Sequence, residues 1–421
     1  MKKLILLVLL AISWGFNSSI GAKLFIPMNA DDQTEHLKAY GVAYLALQSG
    51  MTVDWLLNYD GGAFGMDQNA AVERICKLRN VKYQIMADAQ YDGILHKIEQ
   101  PDFNGDIITL QKPPKIAVYT PKSKLPWDDA VTLALTYAEI PYDKIYDDEV
   151  LDDKLMEYDW LHLHHEDFTG QYGKFWGAYR NTSWYQEDVK NQEAMAFKHG
   201  FRKVSQLKLA IAEKIRNFVA GGGYLFAMCS ATDSYDIALA SEGVDICETP
   251  FDGDPMDPNA QQKIDYDNCF AFKNFTLERN PVAYEFSDID NTNFRRADPR
   301  NDYFSLFTFS AKFDPIPSML TQNHTTTIKG FMGQTTAFRK QTLKSSVIVM
   351  GESNAQNEAR YIHGEYGKGT FTFYGGHDPE DYAHIVGAPP TDLSLHPKSP
   401  GYRLILNNVL FPAAKKKHRK T

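Results

Sequence analysis

The chain has 421 residues, 43% hydrophobic and 23% charged, and a formal net charge of −9. At roughly 150 residues per domain that length predicts two domains, or one large α/β domain with insertions. The composition excludes a disordered chain, a collagen-like repeat and a multi-span membrane protein. The acidic excess excludes a nucleic-acid footprint, which needs a basic face to displace counterions.

Lys2 and Lys3 precede the apolar run Leu4 to Phe16, and the small or polar residues Asn17 to Ala22 follow. This order predicts a secretory leader over residues 1–22, because the run is too short to span a bilayer comfortably; an uncleaved anchor is the alternative. The expectation is an exported protein, periplasmic or extracellular, with no membrane span once the leader is removed. The basic cluster Lys415, Lys416, Lys417, Arg419 and Lys420 predicts a solvated tail over 415–421.

Residues 23–112 alternate strand and helix. Strands are predicted at Leu24 to Met28, Val53 to Leu57 and Val81 to Met86, with helices at Glu35 to Gln48 and Asn69 to Leu78. Alternation of this kind predicts a small parallel α/β unit, ended by Lys112-Pro-Pro-Lys115. A second α/β region then covers 115–414. It opens with a strand at Ile116 to Tyr119, a helix from Asp128 to Ala138 and a strand at Trp160 to Leu163. Leu207, Ile211, Ile215 and Phe218 recur at helical spacing, and Gly221-Gly-Gly223 stops that helix. Tyr224 to Met228 is apolar throughout, as suits a strand covered on both faces. From 245 to 344 the pattern is irregular and rich in Asp and Pro, which predicts an insertion or cap. Regularity returns with a strand at Val347 to Met350 and a hairpin through Gly367-Lys-Gly369 into Thr370 to Tyr374.

Open α/β sheets gather functional groups at the carboxyl ends of their strands. Three such ends here carry His164-His165-Glu166-Asp167, Cys229-Ser230 and Gly375-Gly376-His377-Asp378-Pro379-Glu380. Cys229 lies where a strand meets a helix, with the small Ala227 and Ala231 two residues to either side, as a nucleophile on a tight elbow requires. A buried structural cysteine is the alternative. His377 is the matching base, with Asp378 or Glu380 to orient it; Asp378 followed by Pro379 also fits a helix start. The backbone N–H of Ser230, with a donor from the Phe168-Thr-Gly170 loop, would meet an oxyanion. His165, Glu166, Asp60 and Trp176 are the expected substrate contacts, Trp176 belonging to an aromatic run from Tyr172 to Tyr185. His162, His164, His165, Glu166 and Asp167 could instead hold a metal, Zn²⁺ first among them. His162 and His164 would share one strand face and His165 the other. Cys247 and Cys269 are the pair most able to form a disulfide. Asp252-Gly-Asp254-Pro-Met-Asp257 imitates a calcium loop but lacks its Gly and Glu positions, so an acidic turn is expected. No cofactor is called for.

The stretches FVAGGGYLFAMCSATD, Phe218 to Asp233, and YGKGTFTFYGGHDPEDY, Tyr366 to Tyr382, resemble the paired signatures of the trehalose-utilisation (ThuA-like) branch of the class I glutamine amidotransferase-like superfamily. Tyr402 to Leu410 is similar to the last helix of those domains. The resemblance covers about Lys115 to Ala414, without the insertion, and implies a flavodoxin-like parallel sheet; many ThuA-like sequences carry a His where Cys229 stands, whereas amidotransferases of the superfamily use a Cys at that elbow. Pro379 stands where amidotransferases of the superfamily place a Glu. Leu24 to Met28 and Trp55 to Gly62 make the whole chain similar to exported bacterial proteins labelled asparagine synthetase B. The N-terminal Cys and SGG-type loop of that activity are not present in the sequence. The function expected is a hydrolase or acyl-transfer enzyme using Cys229, His377 and a carboxylate on an amide or ester carbonyl. Its substrate would be a small or carbohydrate-related molecule. A non-catalytic carbohydrate-binding module and a metal-dependent hydrolase at His164, His165 and Glu166 are the alternatives.

Overall fold

A computed structural model describes residues 21–121, 129–292, 298–383 and 385–414. The expected leader, apart from its last two residues, and the basic tail lie outside the described residues.

The N-terminal unit holds five strands: β1 (Ala22–Ile26), β2 (Val53–Leu57), β3 (Ala63–Asp67), β4 (Gln84–Ala87) and β5 (Asp106–Leu110). Their spatial order is β4-β1-β3-β2-β5, and every neighbouring pair is antiparallel. The expected parallel arrangement is therefore corrected. Its cause is β3, which follows β2 after a short turn in which Asn58, Asp60, Gly61 and Gly62 all take positive φ. A turn that tight returns the chain antiparallel, whereas parallel neighbours need a long crossover. Helix His36–Gln48 covers one sheet face, and helix Asp88–Glu99 covers the other through Tyr91 and Ile98 against Phe25 and Leu56.

The second sheet contains β6 (Ile116–Tyr119), β7 (Asp143–Ile145), β8 (Trp160–Leu163), β9 (Tyr224–Met228), β10 (Tyr303–Leu306), β11 (Thr327–Lys329), β12 (Phe338–Arg339), β13 (Ile348–Ser353), β14 (Glu358–Tyr366) and β15 (Gly369–Tyr374). Five of these run parallel in the order β7-β6-β8-β9-β15, the 2-1-3-4-5 order of a doubly wound α/β sheet. Beyond β15 the sheet continues antiparallel through β14, β13, β10 and β11, with β12 on β14. The α/β class stands, but the sheet is mixed. Strands β10, β11 and β12 come from the 245–344 region, so much of that region completes the sheet.

The helix from Val204 to Gly221 buries Leu207, Ile211, Ile215 and Phe218, and Gly222 at φ +122° ends it. No helix starts at Asp378, where the chain makes turns and an isolated bridge to Asp381. The units share one core, in which Leu37, Tyr40 and Leu47 of the N-terminal unit pack with Val131, Leu135, Leu404 and Ile405. Arg403, fully buried, bolts the two together, donating from Nη1 to Met28 O (3.2 Å), from Nη2 to Gly61 O (2.7 Å) and from Nε to Tyr40 Oη (3.3 Å).

All four cysteines are free and buried. The expected Cys247–Cys269 bridge is therefore corrected: Cys247 Sγ donates to Thr169 O (3.3 Å) and Cys269 Sγ to Asp236 O (3.4 Å). The calcium-like turn is tied down by Lys203 Nζ, which meets Asp245, Asp252 and Asp254 at 2.6, 2.9 and 2.5 Å. Among the described residues no helix is long and apolar enough to cross a membrane.

Candidate active site at the sheet edge

β9 ends at Met228, and Cys229 turns the chain with φ +50° into helix Ala231–Ala240. Left-handed backbone at a side-chain-bearing residue is uncommon and collects at functional sites. The Cys229 N–H donates to Gly376 O (3.2 Å), which sets the elbow beside the His377 loop, and the Ala231 N–H donates to His164 O (3.0 Å). The thiol is 3% exposed and accepts the Gln334 N–H at 3.3 Å.

His377 is held by its neighbours. Its N–H donates to Met332 O (2.9 Å) and the Gly376 N–H to Thr335 O (2.8 Å), so the 331–336 segment braces the loop. Its ring meets His164, with Nδ1 at 3.0 Å from His164 Nε2. Behind His164 stands Asp129, the N-cap of helix Ala130–Tyr137, which accepts from the Val131 and Thr132 N–H groups. Its carboxylate lies 3.3 Å from His162 Nε2 and 3.4 Å from His164 Nδ1. His162 and His164 thus share the strand face turned to Asp129, as the sequence predicts. His164, His165 and His377 can each bring a ring nitrogen within 4.8 Å of the others'.

Burial opposes charge on Asp129, yet the imidazoles of His162 and His164 outweigh it and hold the carboxyl well below the usual range. Burial lowers His164 to about 4 against the pull of Asp129, and takes His165 well below its ordinary value. Burial lifts Glu166 to about 8, although its Oε2 accepts the His164 N–H at 3.0 Å.

Of the expected site residues, Cys229, His377 and His165 gather at this edge. Asp378 accepts the Glu380 N–H (2.8 Å), and Glu380 pairs with His396 (3.1 Å), while His164 takes the place expected for a carboxylate beside the His377 ring. Ser230 is fully buried ahead of the helix. Gly170, at φ +82°, packs on the backbone of Ser205, where a Cβ would fall at 2.6 Å. Trp176 lies under Arg180, whose guanidinium is 4.8 Å from its ring centre. Asp60 belongs to the N-terminal unit, where it accepts from Asn29 Nδ2 (2.5 Å). Glu166 and His165 line a narrow cavity of about 50 Å³ with Tyr146, Phe175, Trp184 and Asp188. A groove of about 530 Å³ continues it past Tyr146, Asp188 and Gln192.

No protein-family profile and no curated protein matches the chain. Among solved structures it is similar to Cytoplasmic Protein STM3548 from Salmonella typhimurium, with 12% identity, 72% of this chain and 100% of that chain covered, and a TM-score of 0.34. Cytoplasmic Protein STM1381 from Salmonella typhimurium LT2 gives 11%, 71%, 99% and 0.34. A GH42 beta-galactosidase, Gan42B, gives 12%, 63%, 28% and 0.27. At such TM-scores these likenesses carry neither a fold nor a function to this chain.

Two residues of the site escape the sequence reading. Asp129 follows the first strand of the parallel sheet and precedes a helix, so the rule of strand ends applies to it as it does to Cys229. Gln334 comes from the irregular region, where no periodicity marks it.

Proposed function

We propose that the protein is an exported hydrolase or acyl-transfer enzyme acting on an amide or ester carbonyl of a small or carbohydrate-related molecule. The observation that carries this reading is the 3.0 Å contact of His164 with His377, beside an elbow cysteine whose N–H is bonded to the residue before His377. Orienting a base through one ring nitrogen leaves the other to move a proton. His377, oriented through Nδ1, takes the thiol proton at Nε2 as Cys229 Sγ bonds to the carbonyl carbon. The same proton passes to the leaving amine or alcohol as its bond to carbon breaks. Water then attacks the thioester, with His377 again taking and returning a proton, and frees Sγ. The Gln334 N–H, 3.3 Å from the sulfur, and the Ser230 N–H that follows Cys229 are the donors for the negative oxygen. The resemblance to the amidotransferase-like superfamily supports a cysteine at this elbow.

Iodoacetamide competition near neutral pH tests it. Burial pushes the Cys76 thiol up to about 12 and Cys247 and Cys269 well above their ordinary value. Cys229 is expected to alkylate at least tenfold faster than Cys76, and His377→Ala to remove most of that advantage; equal rates in the wild type refute the reading. Phe175 and Trp184 on the cavity wall favour one rival, a binding module with no turnover. Sugar binding that persists in Cys229→Ala, with alkylation at Cys229 no faster than at Cys76, would select it.

A further inference from the structure

Behind the sheet edge lies a convergence of which the proposed reaction uses only His164. Asp129 Oδ2 faces His162 Nε2 at 3.3 Å, and Asp129 Oδ1 faces His164 Nδ1 at 3.4 Å. Both imidazoles are fully buried, and beyond these long contacts to Asp129 their facing nitrogens make no hydrogen bond. The far side of the His162 ring fixes its proton. His162 Nδ1 lies 3.1 Å from Phe226 O, which can only accept, so His162 carries its proton on Nδ1 and turns the Nε2 lone pair toward Asp129. His164 Nδ1 faces the same carboxylate, while its Nε2 meets His377 Nδ1 at 3.0 Å. The His162 lone pair and a carboxylate face each other in a desolvated interior, and a cation between them, a proton or a metal ion, offsets their repulsion.

We propose that Asp129, His162 and His164 form an interior site for a divalent first-row transition ion. The donor set of two imidazoles and one carboxylate is one such ions take. The 3.3 Å between His162 Nε2 and Asp129 Oδ2 matches the span of about 3.3 Å between neighbouring ligands on a tetrahedral ion with bonds of about 2.0–2.1 Å. All three donors can approach within 4.8 Å of one another. Asp129 keeps its bonds to the Val131 and Thr132 N–H groups through Oδ1, so helix capping does not use Oδ2. The group formed by His164, His165 and His377 is a weaker position, because its closest pair of nitrogens is already joined by a hydrogen bond.

The test uses the full chain, unfolded in chelator and refolded with Zn²⁺ or Co²⁺. One equivalent of metal per chain is expected by elemental analysis, with the visible absorption of tetrahedral Co²⁺ and a higher unfolding midpoint in Zn²⁺. Asp129→Asn, which retains a capping oxygen, and His162→Gln are each expected to lower ion affinity at least tenfold; His165→Gln is expected to leave it unchanged. Refolded wild type that takes up no ion overturns the proposal. So does binding that survives Asp129→Asn and His162→Gln, or that is lost with His165→Gln. Because the readout is binding, failure here leaves the alkylation result, and the reaction it tests, untouched.

Discussion

Asp233 shows how burial at this edge becomes a pH dependence. Burial lifts its carboxyl to about 7, although Oδ1 accepts from Thr335 Oγ1 (2.8 Å) and the Ser234 N–H (2.9 Å). The folded chain therefore holds this proton more tightly than the unfolded chain. Its stabilising contribution is complete below about pH 4 and is lost as the pH rises through about 7. Asp233→Asn keeps the accepting oxygen and removes the charge, so it is expected to stabilise the protein by a few kcal/mol at pH 8 and little at pH 4. Urea unfolding at the two pH values checks this, and a mutant that parallels the wild type would refute it. Single residues were legible where position along the chain sets the backbone. Cys229 between two alanines at a strand end is such a case. Asp378 and Glu380 were not, because adjacency in sequence says nothing of direction, and Asp378 turns to the Glu380 N–H while Glu380 turns to His396.

Among elements, the most regular patterns were the most legible. The Leu207–Phe218 stripe and the Gly367–Gly369 hairpin both form as their spacing predicts. The N-terminal unit was misread because Ala63–Asp67 is short, contains Gly65 and follows its partner strand without a helix. The 331–336 segment, irregular in sequence, fits against the His377 loop so closely that a Cβ on Gly376 would lie 2.4 Å from the Phe331 ring. Gly376 has φ +99°, and Gly387 has φ +86° with open space around it. Gly387→Ala is expected to cost roughly 1–2 kcal/mol from backbone conformation alone. Gly376→Ala adds crowding, for roughly 2–5 kcal/mol in all. Equal shifts in chemical unfolding would show that the loop yields and is not braced.

For the whole molecule, Arg403 and the shared core predict that the two units unfold together. Arg403→Met takes the donors from the Met28 and Gly61 carbonyls, at about 1–3 kcal/mol for each buried group left unsatisfied. A loss of roughly 2–5 kcal/mol is expected, with amide exchange in residues 22–110 quickening ahead of the rest; unchanged exchange there would refute the role. With all four thiols free, a reducing agent is expected to leave the thermal midpoint unaltered, and a fall in that midpoint would contradict the unbridged state. The position of β1 sets a bound on any trimming of the amino end. Ala22–Ile26 lies inside its sheet, hydrogen-bonded to β3 on one side and β4 on the other. A peptidase that trims the amino end can remove residues only up to this strand. A cut a few positions later would take out an interior strand and strip β4 of its one neighbour among the described strands, so a leader of the kind the sequence predicts could be trimmed no further in without opening this sheet.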